Sequence, residues 1–308
     1  MAANSPWADI DPREALRSLG YTDATDPQPV TGGWDTGLWR FATDDGSQHA
    51  LRIFRGPERA DGARRERVAL EAAAGAGLPV PAVEAFGDWR GRPAMVISWC
   101  AGEPLVRCVE RRPWSMWRLS RQMGELQARI HTAPVPDALR EGSPHYRLFG
   151  AAEGADLYPS GPVPPGVRGD ALIHGDFHPL NVLSDGREIT GVVDWTNATV
   201  GDVRADLAWT TTLLRAAPPP PSLWRPFFKL VRWLFYQSWR RGYESVAGPI
   251  PELAPFLAWA GAVFLREAIP RMREPQVWAT EKDMEAVRRW VERWKREAAS
   301  SRRGTGLV

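Results

Sequence analysis

One short stretch, Leu172-Ile173-His174-Gly175-Asp176-Phe177-His178-Pro179-Leu180-Asn181-Val182-Leu183, restricts what this chain can become more than any other. The apolar runs at its two ends read as buried strands, so the polar residues between them occupy a loop pinned on both sides. Farther on, Val192-Val193-Asp194-Trp195 closes another apolar strand on a second aspartate. Strand ends of this kind bring Asp, Asn and Asp oxygens to one place. Phosphoryl transfer asks for such a set: a carboxylate to orient and deprotonate a hydroxyl, and oxygen ligands for magnesium. Magnesium takes one or two carboxylates together with water and phosphate oxygens in preference to a full protein cage. Singly, each residue is as well explained as a turn former, because Asp and Asn bond locally to backbone groups. The argument rests on the ordered set and its apolar flanks.

On either side of this stretch the hydrophobic pattern differs. Asp11 and Pro12 open a short helix over residues 11–19. Strands are expected over residues 30–33, 37–43 and 48–54, with Asp44-Asp45-Gly46 as a hairpin turn. Residues 63–74 have helical spacing and stop at Gly75 and Gly77, and two more strands follow over 80–87 and 93–99. Beyond Cys100-Ala101-Gly102 the pattern turns helical, over residues 114–131, 222–244, 252–272 and 281–299, with an irregular tail over 300–308. The expectation is an α+β chain with a small β-rich lobe over residues 1–99 and a larger, mainly helical lobe over 100–308.

Two upstream features add to this. Thr31-Gly32-Gly33-Trp34-Asp35-Thr36-Gly37 lies between two strands, where its backbone N–H groups suit triphosphate oxygens. By itself it is equally a Gly-rich hairpin. Arg52 sits within a strand and Glu66 in the helix after it, where both also read as solvated charges.

Taken with Gly201-Asp202-Val203-Arg204-Ala205-Asp206-Leu207-Ala208, these segments resemble the aminoglycoside phosphotransferase family. The resemblance runs through motifs from Val30 to Ala208 and continues only as a general helical pattern. It implies a bilobal protein-kinase-like fold with ATP or GTP as phosphate donor and Mg2+ as cofactor. By resemblance Asp176 is the catalytic base, Asn181 and Asp194 are the magnesium ligands, His174 is a structural support and Asp206 braces the loop. His178 falls near the γ-phosphate, and Gly33 and Thr36 in the turn over the triphosphate. Arg52 stands where kinases place a phosphate-binding Lys, with Glu66 as its ion-pair partner. Ile97 falls behind the nucleotide base, with backbone groups of Ser98 and Cys100 at its edge. His131 is read as packing, and Leu180 departs from relatives that carry a smaller residue there.

The acceptor implied is a small-molecule hydroxyl held by the C-terminal helices, on an antibiotic of aminoglycoside or macrolide type or a related natural product. A metabolic kinase of the same fold, acting on choline, homoserine or a sugar amine, is one alternative. A nucleotide-binding pseudokinase scaffold is another, raised by Arg in place of Lys. From Leu207 onward basic residues outnumber acidic ones. A polycation would want a cluster of carboxylates, so a bulkier, less charged acceptor fits better.

Composition narrows the class. A formal net charge of +2 across 308 residues argues against nucleic acid or an anionic membrane as partner. Cys100 and Cys108 lack partners at zinc spacing, which favours a reducing cytoplasm and no disulfide. The first residues lack the pattern of a signal peptide, and no apolar run approaches the ~18 residues of a membrane span. Most of the 16 tryptophans are expected in the core, with a minority lining a pocket.

Overall fold

Alternate residues of one strand face two different cores, and this alternation organises the first part of the fold. The computed structural model describes residues 7, 9–30, 36–141, 169–218, 228–250, 252–272 and 279–304. Gly33, His145, Trp224 and Trp278 lie outside the described residues. The strands β1 (Gln28–Pro29), β2 (Thr36–Ala42), β3 (Gln48–Phe54), β4 (Val83–Trp89) and β5 (Arg92–Ser98) form one antiparallel sheet in the order β1-β2-β3-β5-β4. Leu51 and Ile53 of β3 join Ala94 and Val96 of β5 in a core closed by Leu16 of α1 (Pro12–Ser18). The Asp11 side chain caps α1 by accepting from the Arg13 and Glu14 amides. On the opposite face, Ala50, Phe54, Met95 and Ile97 pack on Ala69, Leu70 and Ala73 of α2 (Ala60–Gly75), in a core continuous with the rest of the chain.

The remainder is mainly helical, as expected. It contains α3 (Leu105–Arg111), α4 (Met116–His131), α5 (Asp137–Glu141), α6 (Val203–Arg215), α7 (Phe228–Ala247), α8 (Ala254–Arg271) and α9 (Glu281–Gly304). Short strands lie among them. β6 (Glu103–Pro104), β8 (Val182–Ser184) and β9 (Ile189–Val192) form one sheet, and β7 (Ala171–Ile173) pairs antiparallel with β10 (Thr199–Gly201). Four helices differ from the sequence expectation: α3, α5 and α6 fall where none is expected, and α9 runs longer. α3 is too short for periodicity to reveal, and it is held by the buried Leu105 and Cys108. α9 continues to Gly304, through the start of the tail expected to be irregular. Trp195, Trp239 and Trp259 are fully buried, whereas Trp233 is half exposed on α7. Both cysteines are free, and no helix among the described residues is long and apolar enough to cross a membrane.

α4 and α7 approach backbone to backbone because each contributes a glycine at the crossing. A Cβ on Gly124 would overlap the Trp239 carbonyl oxygen, and one on Gly242 would overlap the Arg121 carbonyl oxygen. Backbone atoms cannot swing aside as a side-chain tip can, so an added methyl forces the helices apart. We expect Gly124→Ala to cost at least ~2 kcal/mol of stability, toward the upper part of the range for overpacked cores. Urea denaturation measures this, and an unchanged midpoint would mean that the crossing has slack.

Candidate active site

The 172–183 segment folds as a loop between β7 and β8, and the neighbouring elements clamp it. Gly175 has φ +78°, and a Cβ there would lie 2.5 Å from the Asn197 carbonyl oxygen, so glycine is required. Its N–H donates to Asp206 Oδ1 at 2.8 Å. Asp206, on α6, has no solvent exposure; its Oδ2 accepts from Gln127 Nε2 at 2.9 Å and His131 Nε2 at 3.0 Å, both on α4. Burial pushes the Asp206 carboxyl up, but the His131 and Gln127 hydrogen bonds together with nearby imidazole charge outweigh it and hold it below the usual carboxylate range. His131 is therefore a hydrogen-bonded strut, with its Nδ1 taking the Tyr243 hydroxyl of α7 at 3.0 Å, and not the packing residue expected. Thr210 Oγ1 adds a bond to the Phe177 carbonyl at 2.8 Å.

His174 is buried beneath the loop. The Asp176 amide donates to its Nδ1 at 3.3 Å, so Nε2 carries the proton and donates to the Val193 carbonyl at 3.1 Å. Burial holds its imidazole below the ordinary histidine value, against the pull of Asp206, Asp176 and Asp194. This one neutral ring ties the 172–183 loop to the strand leading into Asp194.

Asp176 lies partly exposed at the mouth of the loop. Its Oδ1 accepts from the Trp209 indole N–H at 3.0 Å, and its Oδ2 lies 3.3 Å from both His178 Nε2 and Asn181 Nδ2. The Leu180 amide donates to His178 Nδ1 at 3.3 Å, which leaves Nε2–H facing Asp176. Burial raises the Asp176 carboxyl, but the charge and hydrogen bond of His178, the Trp209 bond and His174 outweigh it and set the value at about 2. The group is an ionised, well-oriented acceptor at any working pH.

Asn181 and Asp194 are brought side by side by a backbone bond from Val193 N to Asn181 O at 2.9 Å. The Asn181 amide nitrogen donates to the Asp176 carbonyl at 3.0 Å, which turns Oδ1 away as an acceptor with no donor among the described residues. Asp194 is exposed and holds φ +63°, an uncommon value for a residue with a Cβ. Its Oδ1 accepts from Thr196 Oγ1 at 2.9 Å. One amide oxygen and one exposed carboxylate fit a magnesium ion that completes its shell with water and phosphate oxygens. A caged site is a different matter: no group of three or more His, Cys, Asp or Glu side chains among the described residues is arranged to hold a metal.

Arg52 and Glu66 meet in a buried ion pair, Arg52 Nη1 to Glu66 Oε1, with Glu66 entirely inside. The solvated reading of both residues is thereby excluded. Arg52 Nη2 also reaches Thr196 Oγ1 at 3.2 Å and Thr36 Oγ1 at 3.5 Å. Burial pushes the Glu66 carboxyl up against the pull of Arg52, and the nearby Asp194 carboxylate adds to the rise. Thr36, Arg52, Glu66, Thr196 and Asp194 thus form one connected polar strip. Gly33 lies outside the described residues. At the end of β5 the Ser98 amide is committed to the Ala82 carbonyl at 2.9 Å, whereas the Cys100 amide has no acceptor among the described residues. Burial raises the Cys100 thiol to about 11, so it stays protonated.

Sequence reasoning missed Trp209, Thr210, Gln127 and Thr196. A signal existed for three of them: Trp209 and Thr210 follow Asp206 by one helical turn and share its face. Gln127 stands in the same relation to His131.

The model of the Phosphotransferase enzyme family matches residues 26–158 and 163–246. No curated protein matches the sequence. Among solved structures, a thermostable mutant of aminoglycoside phosphotransferase APH(4)-Ia in ternary complex with ADP and hygromycin B is similar at 18% identity and TM-score 0.62, covering 92% of this chain and 97% of that one. The GDP and kanamycin complex of APH(2")-IIia is similar at 17% identity and TM-score 0.58, covering 92% and 97%. Macrolide 2'-phosphotransferase MphH from Brachybacterium faecium, as the apoenzyme, is similar at 18% identity and TM-score 0.54, covering 92% and 98%. At these identities the likeness is one of fold.

The site's ionisation states predict how stability follows pH. His174, Asp176 and Asp206 all bind protons less readily in the folded chain than their ordinary values imply. The unfolded chain therefore takes up more protons on acidification, so stability rises with pH through each window. We expect the melting temperature to decline below about pH 6.5, where unfolded histidine protonates, and to fall again between about pH 4 and 2 through the two aspartates. A thermal melt series across about pH 8 to 2 checks this, and Asp206→Asn should shallow the lower step. A flat profile would show that the buried groups do not carry these charges.

Proposed function

Because the chain belongs to the Phosphotransferase enzyme family, with the model matching most of its length, we propose that it transfers the γ-phosphate of ATP or GTP to a hydroxyl of a small molecule, with Asp176 receiving the hydroxyl proton. The observation that carries this reading is the convergence of Asp176, Asn181 and Asp194 on one loop and hairpin, tied together by His174 and the Val193–Asn181 bond.

The nucleotide lies between two lobes, residues 1–99 and 100–308, with Ile97 behind its base and the backbone at Ser98 and Cys100 along its edge. Because the Ser98 amide is occupied, the Cys100 amide is the donor for that edge. Arg52, oriented by Glu66, holds phosphate oxygens with a planar fork that stays charged. Thr36 lies beside the triphosphate, and His178 faces the gap between Asp176 and the γ-phosphate. Asn181 Oδ1 and Asp194 are the ligands for magnesium, which when bound neutralises charge between the phosphates.

A carboxylate at about 2 is a weak base, so its first task is orientation. It accepts a hydrogen bond from the acceptor hydroxyl and aims the oxygen at phosphorus. As the bond from phosphorus to the leaving oxygen breaks and the new P–O bond forms, the hydroxyl becomes strongly acidic and its proton passes to Asp176. Trp209 fixes Oδ1, which leaves Oδ2 and its neighbours to meet the hydroxyl.

The acceptor class is an antibiotic of aminoglycoside or macrolide type, or a related natural product, bound against α7, α8 and α9. What supports this is the fold shared with APH(4)-Ia, APH(2")-IIia and MphH, whose names or complexes carry hygromycin B, kanamycin and a macrolide activity. The excess of basic residues from Leu207 onward favours the less cationic end of that range. A reducing cytoplasm suits the two free cysteines.

A nucleotide-consumption screen with ATP and GTP against aminoglycosides, macrolides and hydroxylated metabolites tests the reading. Once an acceptor is found, Asp176→Asn should lower the turnover number by about two orders of magnitude or more with nucleotide affinity nearly intact. Near-normal turnover would remove Asp176 from the mechanism. Trp209→Phe keeps the ring and deletes only the N–H. It should cost about tenfold in turnover with a smaller change in the acceptor Michaelis constant, in the range of one charge-assisted hydrogen bond.

Asn181→Ala and Asp194→Ala should each raise the magnesium concentration that gives half-maximal activity. Titration at saturating nucleotide reads this directly, and superimposable curves for both variants and the parent would discard the two ligands.

A further inference from the structure

The hairpin of β8 and β9 carries Asn181 and Asp194 at its base, and its tip borders an open cleft of about 370 Å³ away from the reacting groups. The tip is a tight turn. Asp185 Oδ1 accepts from the Arg187 and Glu188 amides at 2.7 and 2.8 Å, and Gly186 holds φ +90°. Opposite it stand the turn Pro113–Ser115 and the first residues of α4. Arg118 Nη2 donates to the Gly186 carbonyl at 3.1 Å and fixes the two walls together.

Three observations mark this cleft. Arg112 and Arg187 line it, and neither guanidinium has a hydrogen-bonded or ion-paired acceptor among the described residues. Trp114 is 80% exposed, the most exposed of the large apolar side chains described. An indole left open to water is unfavourable. Glu188 is the single acidic group in the lining, against three arginines. A planar guanidinium fork matches a phosphate or carboxylate, and the indole face matches a ring.

We propose that this cleft is a second ligand site, for a small aromatic anion: a planar ring bearing a phosphate or carboxylate. The anion lies between Arg112 and Arg187, and the ring stacks on Trp114. Bare inorganic phosphate meets the charge but not the indole, and a neutral phenol meets the indole but not the charge. The site is separate from Asp176, so its occupancy does not depend on the phosphotransfer reading.

Isothermal titration of the full chain with phenyl phosphate tests the proposal. We expect one binding event that weakens with salt, with phosphate and phenol each weaker by about tenfold or more. Arg112→Gln with Arg187→Gln, and separately Trp114→Ala, should each weaken phenyl phosphate by about tenfold. These side chains are exposed, so the melting temperature should stay put and report intact folding. Asp176→Asn should leave the binding unchanged. The proposal is overturned if no heat appears at millimolar phenyl phosphate, if phosphate alone binds as tightly, or if binding is lost in Asp176→Asn and kept in the arginine variant.

Discussion

A carboxylate with no access to water sets the terms for the C-terminal half of this chain. Asp206 is wholly buried, and an unpaired ion there would cost several kcal/mol. Each donor around it must therefore be held in place, and each is. The Gly175 amide comes from the 172–183 loop, and Gln127 and His131 come from α4. Gln127 in turn takes the Trp239 indole N–H at 3.0 Å, and His131 takes the Tyr243 hydroxyl, both from α7. Satisfying one anion thus fixes the loop, α4, α6 and α7 relative to one another. Asp176 inherits that rigidity, because Trp209, which grips it, lies one turn beyond Asp206 on the same helix.

A second polar chain runs from the sheet to the loop. Arg52 and Glu66 are buried together, and Thr196 contacts Arg52, Glu66 and Asp194 in turn. Partly satisfied polar networks are costly, so the members tend to be in place together or not at all. The Arg52 guanidinium and the exposed carboxylate of Asp194 are therefore linked through the one side chain of Thr196. An Arg is well suited to this position, since its several N–H groups serve Glu66 and Thr196 at once, where a Lys would offer one nitrogen.

How legible was this in the sequence? The order of elements was legible because β3 and β5 alternate cleanly and α4 has a strong apolar face. Asp176, Asn181 and Asp194 were legible because their apolar flanks admit only a short loop between strands. Arg52 and Glu66 were named as partners by resemblance alone, since nothing local distinguishes a buried Glu from one on a helix surface. Tyr243 and Thr196 stayed hidden because their partners His131, Arg52 and Glu66 lie more than a hundred residues away in sequence. The α4–α7 crossing was hidden for a different reason. A glycine inside a helix reads as a weakness from propensity, and its value appears only once a second backbone lies against it.

That crossing bears on how such a protein diversifies. With Gly124 and Gly242 each pressed against a partner backbone, α7 has one register against α4 and no neighbouring one to slip into. Mutations on the outward faces of α7 and α8 then change the chemistry on display without moving the scaffold that displays it. Outward-facing substitutions on α7 are accommodated on a fixed frame, and the geometry around Asp176 is insulated from that drift.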